Sequence, residues 1–238
     1  MMSKAFVAGA TGYTGQEVVK ELLQQGIPTV AHVRPDSSRL EFWKEHFSAL
    51  GAQVDCSAWE SDAIKSGITA HNPTLLFALL GTTKKRAKQT KAQGGDTNTE
   101  SYEKIDFGYT AMLIEAGAAL STKPRFIYLS SLGVSETAPG AYMQARWKAE
   151  KHLKNSSLPY TIIQPCFITG TDRQENRPLE RIGAVIGDAA LSVVSLVGGS
   201  ALKAKYESID ARTLAQAMVR LGLDPNAEDT TANSESLR

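Results

Sequence analysis

The feature that most constrains this chain is the glycine-punctuated stretch Val7 to Gly15, read Val-Ala-Gly-Ala-Thr-Gly-Tyr-Thr-Gly. An apolar run, Ala5 to Ala8, enters it. Glu17 to Leu23 comes next, with Val18, Val19, Leu22 and Leu23 at helical spacing. The pattern predicts a strand, a tight turn and a helix. Gly9 permits a turn that a side chain would block, Gly12 lets main-chain amides approach a pyrophosphate, and Gly15 lets the helix start close against the strand. The amides of Gly9, Ala10, Thr11, Gly12, Tyr13, Thr14 and Gly15, with the positive end of the helix dipole, then favour a diphosphate here. The spacing departs from G-x-G-x-x-G by one residue, and turn glycines alone are the competing explanation.

The alternation of strand and helix recurs along the chain. After the stop signal Gly26-Ile27-Pro28, Thr29 to Val33 reads as a second strand, Leu40 to Leu50 as a helix and Gln53 to Ser57 as a third strand. Asn72-Pro73 breaks the chain before Thr74 to Leu80, whose near-continuous apolar run suits a strand buried on both faces of a parallel sheet. Ser101 to Leu120 reads as a long helix, Arg125 to Leu129 as a fifth strand, Tyr142 to Leu153 as a helix and Tyr160 to Gln164 as a sixth strand. Such alternation gives right-handed crossovers and an α/β, doubly wound, Rossmann-like sheet. Residues 1–223 form one domain on this reading, with a small apolar substrate-covering lobe at about 166–209. Asp210 caps the helix Ala211 to Leu221, and the polar tail 224–238 is expected to be disordered.

Composition excludes several classes of function. With 42% hydrophobic residues and a net charge of +1, nothing argues for a nucleic-acid partner, and the cations of Lys84 to Gly95 read as a solvated loop without interleaved aromatics. Cys56 and Cys166 make no metal-ligand spacing, so no metal is expected and both read as thiols in a reducing compartment. Met1 to Lys4 runs straight into the first strand, which suggests a cytoplasmic chain. Ile182 to Gly199 is too diluted by Asp188, glycine and serine to read as a membrane span. A small-molecule substrate is the expected partner, and a homodimer is compatible with the composition.

Specific positions carry the chemistry. Arg34 ends the second strand where an acidic residue would hydrogen-bond adenosine ribose hydroxyls and a cation would pair with a 2′-phosphate. With Ser37, Ser38 and Arg39 behind it, Arg34 favours NADP over NAD, against the neighbouring Asp36. Asp55 and Cys56 are candidates to flank the adenine. Leu80, Gly81, Thr82 and Thr83 end the fourth strand where a ribose and diphosphate cross the sheet's carboxyl edge. Ser130-Ser131 comes directly after the fifth strand and Tyr142 opens the next helix, a geometry for moving a proton. At about 100° per residue, Arg146 lies only about 40° round the helix from Tyr142 and is the cation that would favour its ionised form.

The glycine loop, Ser130-Ser131 and Tyr142 resemble the short-chain dehydrogenase/reductase superfamily in its atypical NAD(P)H-binding (NmrA-like) branch. Thr161-Ile162-Ile163-Gln164-Pro165 and Asp172-Arg173-Gln174-Glu175-Asn176-Arg177-Pro178 are similar to the Tat-interacting-protein type of oxidoreductase within it. The resemblance, which runs to about Met218, implies an NADP(H)-dependent oxidoreductase acting on a small carbonyl or alcohol. It makes Tyr142 the acid/base and Ser131, with Ser130 as alternative, the carbonyl's hydrogen-bond partner, and it sets Pro165 to Ile168 against the nicotinamide. The family's Tyr-x-x-x-Lys is Tyr142-Met143-Gln144-Ala145-Arg146 in this chain; arginine can hold ribose hydroxyls but will not release a proton. That departure keeps a non-catalytic NADP(H)-sensing protein as the rival reading, and an epimerase or dehydratase that recycles its cofactor as a third. Arg173, Arg177 and Arg181 suit either an anionic substrate or pairing with Asp172, Glu175 and Glu180.

Overall fold

Short apolar segments become strands buried along their whole length, as a parallel sheet covered on both faces requires. In the computed structural model, which describes residues 3–82, 101–166, 168–169 and 209–237, β1 (Ala5–Ala8), β2 (Thr29–His32), β4 (Leu75–Ala78) and β5 (Arg125–Leu129) are buried at every position. With β3 (Gln53–Asp55), β6 (Tyr160–Gln164) and β9 (Thr230–Asn233) they form a seven-stranded sheet ordered β3-β2-β1-β4-β5-β6-β9. Each neighbouring pair is parallel. The strand order reverses between β1 and β4, and ligands of such sheets bind outside the carboxyl ends at that point.

Helices cover both faces. On one, α1 (Tyr13–Gln24) and α6 (Ala211–Leu223) press Val18, Val19, Leu22, Leu214 and Met218 onto Val7, Phe77 and Ile127, with Phe47 of α2 (Leu40–Ala49) in the same core. On the other, α3 (Ser61–His71), α4 (Tyr109–Ala119) and α5 (Ala141–Lys154) bury Ile64, Ile68, Leu113, Ile114, Ala149 and Leu153 against Phe6, Leu76, Phe126 and Tyr128. Asp210 caps α6 as expected: its carboxylate accepts the amides of Arg212 and Thr213, both at 3.0 Å. Thr213 holds the Asp210 carboxyl below the usual carboxylate range, first through its hydroxyl and then through its amide.

Two differences from the sequence reading have clear causes. The tail expected to be disordered instead supplies β9, and Leu237 behind it is only 1% exposed in the core. Ala232 is the one buried residue of β9, so the segment looks polar, and its stability comes from pairing with β6, remote in sequence. The long helix expected from Ser101 opens instead with a π-type turn, Glu103–Gly108, before α4. Of the small lobe, β7 (Ile168–Thr169) pairs in parallel with β8 (Ile209–Asp210). Thr83, the cationic run 84–95, the arginines 173, 177 and 181, and the apolar run 182–202 lie outside the described residues.

Candidate functional site

The glycine loop sits at the carboxyl end of β1, beside the reversal of strand order. Two of its glycines are required by the backbone around them. Gly9 has φ +85°, and a Cβ there would lie 2.6 Å from the Leu79 carbonyl oxygen. At Gly15 a Cβ would lie 2.1 Å from the Gly9 carbonyl oxygen, so α1 packs directly on the turn. Gly12 is exposed at the start of α1, and that helix has no side-chain cap. Its first-turn amides therefore have no intrahelical acceptors and stand ready for an anion. Ala10, Thr14 and Gly15 are buried beneath, whereas Thr11 and Tyr13 are half-buried at the rim. The Tyr13 hydroxyl donates to the Thr169 carbonyl at 3.4 Å, tying the loop helix to the strand beyond Pro165. These residues fit a dinucleotide's diphosphate.

Along the same edge, the end of β2 presents Arg34, its side chain 37% exposed and its Nη1 3.4 Å from Asp36 Oδ2. At the end of β3, Asp55 accepts the Ser57 amide (3.0 Å) and hydroxyl (3.1 Å), and its Oδ2 lies 3.2 Å from His71 Nε2. The Asp55 carboxylate is thus held inside its own turn. His32 is buried beside it and burial pushes its pKa down, against the opposing pull of the Ser57 carbonyl and Asp55.

Beyond β4 and β5 the structure brings Tyr142 and Arg146 together. Tyr142 is half-buried in the first turn of α5, its ring edge-on to Tyr102 with centroids 5.4 Å apart. The Arg146 guanidinium lies under that ring, Cζ 5.3 Å from its centroid, as i,i+4 spacing dictates. Arg146 is itself only 6% exposed. Its Nη2 donates to the Leu80 carbonyl at 2.9 Å, and its Nη1 to the Leu129 carbonyl and, at 3.3 Å, to the Tyr128 hydroxyl. Asp106 Oδ1 lies 2.9 Å from Nη2, an ion pair without the alignment of a linear hydrogen bond. Burial opposes the Arg146 charge, but Tyr128, Tyr142 and Asp106 hold the guanidinium protonated. Burial raises the Tyr128 phenol far above its usual range although Arg146 pulls against it.

The two serines divide. Ser130 is buried and donates to Glu150 Oε1, which also accepts Gln164 Nε2 at 2.8 Å; Ser131 is half-buried at the rim. The Leu132 amide donates to the Pro165 carbonyl at 3.0 Å, which brings Pro165 beside the serine turn, and Ile168 packs on the core nearby. Gly81 and Thr82 continue from β4, and the Thr82 amide donates to Asp106 Oδ2 at 3.1 Å. Sequence reasoning missed Asp106 and Glu150. Glu150 lies a further i+4 step beyond Tyr142 and Arg146, a signal that was available, whereas Asp106 carries none. Among the described residues no cluster of three or more His, Cys, Asp or Glu side chains could hold a metal, and no helix is long and apolar enough to cross a membrane.

A family model described as NAD(P)H-binding matches residues 9–195. Protein fmp52-1, mitochondrial, of Aspergillus terreus is 30% identical over 99% of this chain and 94% of its own length. Protein TIC 62, chloroplastic, of Pisum sativum is 28% identical over 67% of this chain and 32% of its own. Protein HTATIP2 of Rattus norvegicus is 24% identical over 74% and 66%. Among solved structures, the Bordetella bronchiseptica enzyme WbmH in complex with NAD+ superposes with TM-score 0.61 at 17% identity, covering 92% of this chain and 72% of its own. Leucoanthocyanidin reductase with NADPH from Vitis vinifera reaches TM-score 0.63 at 15%, covering 96% and 67%. These structures support the Rossmann-like fold. The expectation of a cytoplasmic location is corrected by the Fmp52 relatives, which are named mitochondrial, and by TIC 62, which is named chloroplastic. Composition and cysteine count carry no cellular address.

Proposed function

Because this chain belongs to the NAD(P)H-binding family, we propose that it is an oxidoreductase that uses NADP(H) on a small carbonyl or alcohol substrate. The bound nicotinamide supplies or takes up hydride. Tyr142 gives its phenolic proton to the carbonyl oxygen in reduction and takes it back in oxidation. Ser131, at the rim where Ser130 is committed to Glu150, donates a hydrogen bond to the same oxygen. The observation that carries the reading is the Arg146 guanidinium 5.3 Å from the Tyr142 ring, on the sheet edge that also bears the glycine loop. With its N–H groups on two strand-end carbonyls and Asp106, Arg146 acts on Tyr142 and on the shape of the cleft more than on the cofactor's ribose. NADP is the proposed cofactor because Arg34 closes the adenosine end with a guanidinium suited to a 2′-phosphate.

The test is Tyr142→Phe. NADPH binding is expected to persist while turnover of an identified carbonyl falls at least about a hundredfold, the lower end of general acid–base contributions. Retained turnover removes Tyr142 from the role. The burial of Arg146 in an ion pair also favours a second reading, a non-catalytic protein that senses NADP(H). NADPH binding without oxidation across a broad carbonyl panel selects that reading.

A further inference from the structure

We infer that Asp106 is a positioning residue for the half of the dinucleotide that crosses the ends of β4 and β5; the inference rests on reading the cleft as an NADP(H) site. Asp106 is 0% exposed in the π-type turn before α4, and the Thr110 hydroxyl donates to its carbonyl at 2.9 Å, which fixes the turn. Its two carboxylate oxygens do different things. Oδ2 accepts the Thr82 amide at 3.1 Å and so holds the segment leaving β4. Oδ1 faces Arg146 Nη2 at 2.9 Å, and Arg146 in turn grips the Leu80 and Leu129 carbonyls at the ends of β4 and β5. One buried anion thus connects the outflow of both strands.

Charge makes this arrangement directional. A guanidinium buried without a counter-ion is strongly destabilised, so Arg146 can cross-link the two carbonyls only while Asp106 compensates it. The intervening residue is shaped to match. A Cβ at Gly81 would lie 3.0 Å from Arg146 Nη2, a tight approach, and in ordinary contact with Asp106 Oδ1 at 3.6 Å, so a side chain there would press on the guanidinium. In a doubly wound sheet the glycine loop and β1 to β3 take one nucleotide of the cofactor and the strands beyond the reversal take the other. Asp106 orders the second side. Its loss should therefore be felt by the whole dinucleotide and hardly at all by the adenosine portion.

The experiment is a pair of titrations on the full chain, one with NADP and one with adenosine 2′,5′-bisphosphate. Asp106→Asn is expected to weaken NADP at least about tenfold, the scale of one buried partner lost, and to leave adenosine 2′,5′-bisphosphate within about twofold. Equal weakening of both probes would mean general loosening, and unchanged NADP affinity would mean no role; either overturns the inference. If Asp106→Asn does not fold, Asp106→Glu keeps the compensating charge on an arm one methylene longer and is expected to show the same split at smaller size. Parent-like binding of both probes by Asp106→Glu would then overturn it. A parent chain that binds neither probe refutes the cofactor reading itself, which is a separate result.

Discussion

Adding one methyl group at Gly15 and one at Gly12 separates what the loop does for the fold from what it does for the ligand. At Gly15 the new Cβ would lie 2.1 Å from the Gly9 carbonyl oxygen and 2.9 Å from Ala10 Cα, both backbone atoms that no side-chain rotation can move. Overpacking of this kind costs about 1–3 kcal/mol and occasionally more, and contact this close belongs at the upper end. For a chain of this size each kcal/mol lowers Tm by roughly 2–4 °C, so Gly15→Ala is expected to unfold about 6–12 °C early. At Gly12 the nearest atom is the Gly9 carbonyl oxygen at 3.1 Å, and φ −73° with ψ 163° is open to any residue. Gly12→Ala should therefore stay within about 3 °C of the parent, the cost of a poorer helix cap. Gly12 is nevertheless exposed at the start of α1, and a methyl group added there would take space from a diphosphate resting on that helix end. NADPH affinity should fall at least about tenfold, or ~1.4 kcal/mol. Thermal unfolding by circular dichroism reads the first effect and nicotinamide fluorescence the second. Gly12→Ala that binds NADPH as the parent does, or Gly15→Ala that melts with the parent, would refute the reasoning.

Three further outcomes are expected. Arg34→Ala should weaken NADP at least about tenfold, the scale of a charge-assisted hydrogen bond, with NAD nearly unchanged; equal loss in paired titrations contradicts the 2′-phosphate assignment. Leu237→Ala should cost about 2–4 kcal/mol in urea unfolding because that side chain is 1% exposed in the core; no change would remove the C-terminal segment from the folded unit. His32 is buried with its pKa lowered, so the unfolded state binds the proton first. Its contribution is full above the ordinary histidine value of about 6.5 and is lost as pH falls through that value towards the folded one. His32→Gln should flatten the decline of stability over that range, and an unaltered profile argues against a neutral buried imidazole.

The sequence made the fold legible wherever a local signal coincided with burial. The runs ending at Ala8 and Ala78 are apolar at consecutive positions because both faces of their strands are covered, and glycine punctuation marks the turn between β1 and α1. β9 was illegible because Thr230, Thr231 and Asn233 are exposed; a strand of that kind is defined by its partner β6 rather than by its own composition. At the candidate site, helical spacing brought Tyr142 and Arg146 to one face of α5, but it could not tell where the guanidinium would point. That depends on Asp106, forty positions earlier in a π-type turn whose i,i+5 pattern leaves no periodic mark. The serines show the same limit: adjacency in sequence does not say which hydroxyl a buried Glu150 will claim, and Ser130 is the one it holds.

The central claim is that the main-chain amides of the glycine loop receive a pyridine dinucleotide, and a calorimetric titration of the purified chain with NADPH, paired with its thermal unfolding, tests it most directly. The account predicts saturation at one site per chain and a stabilisation of about 2.7 kcal/mol when free NADPH is roughly a hundred times its dissociation constant. Neither heat nor a shift in unfolding temperature with NADPH or with NADH would contradict it.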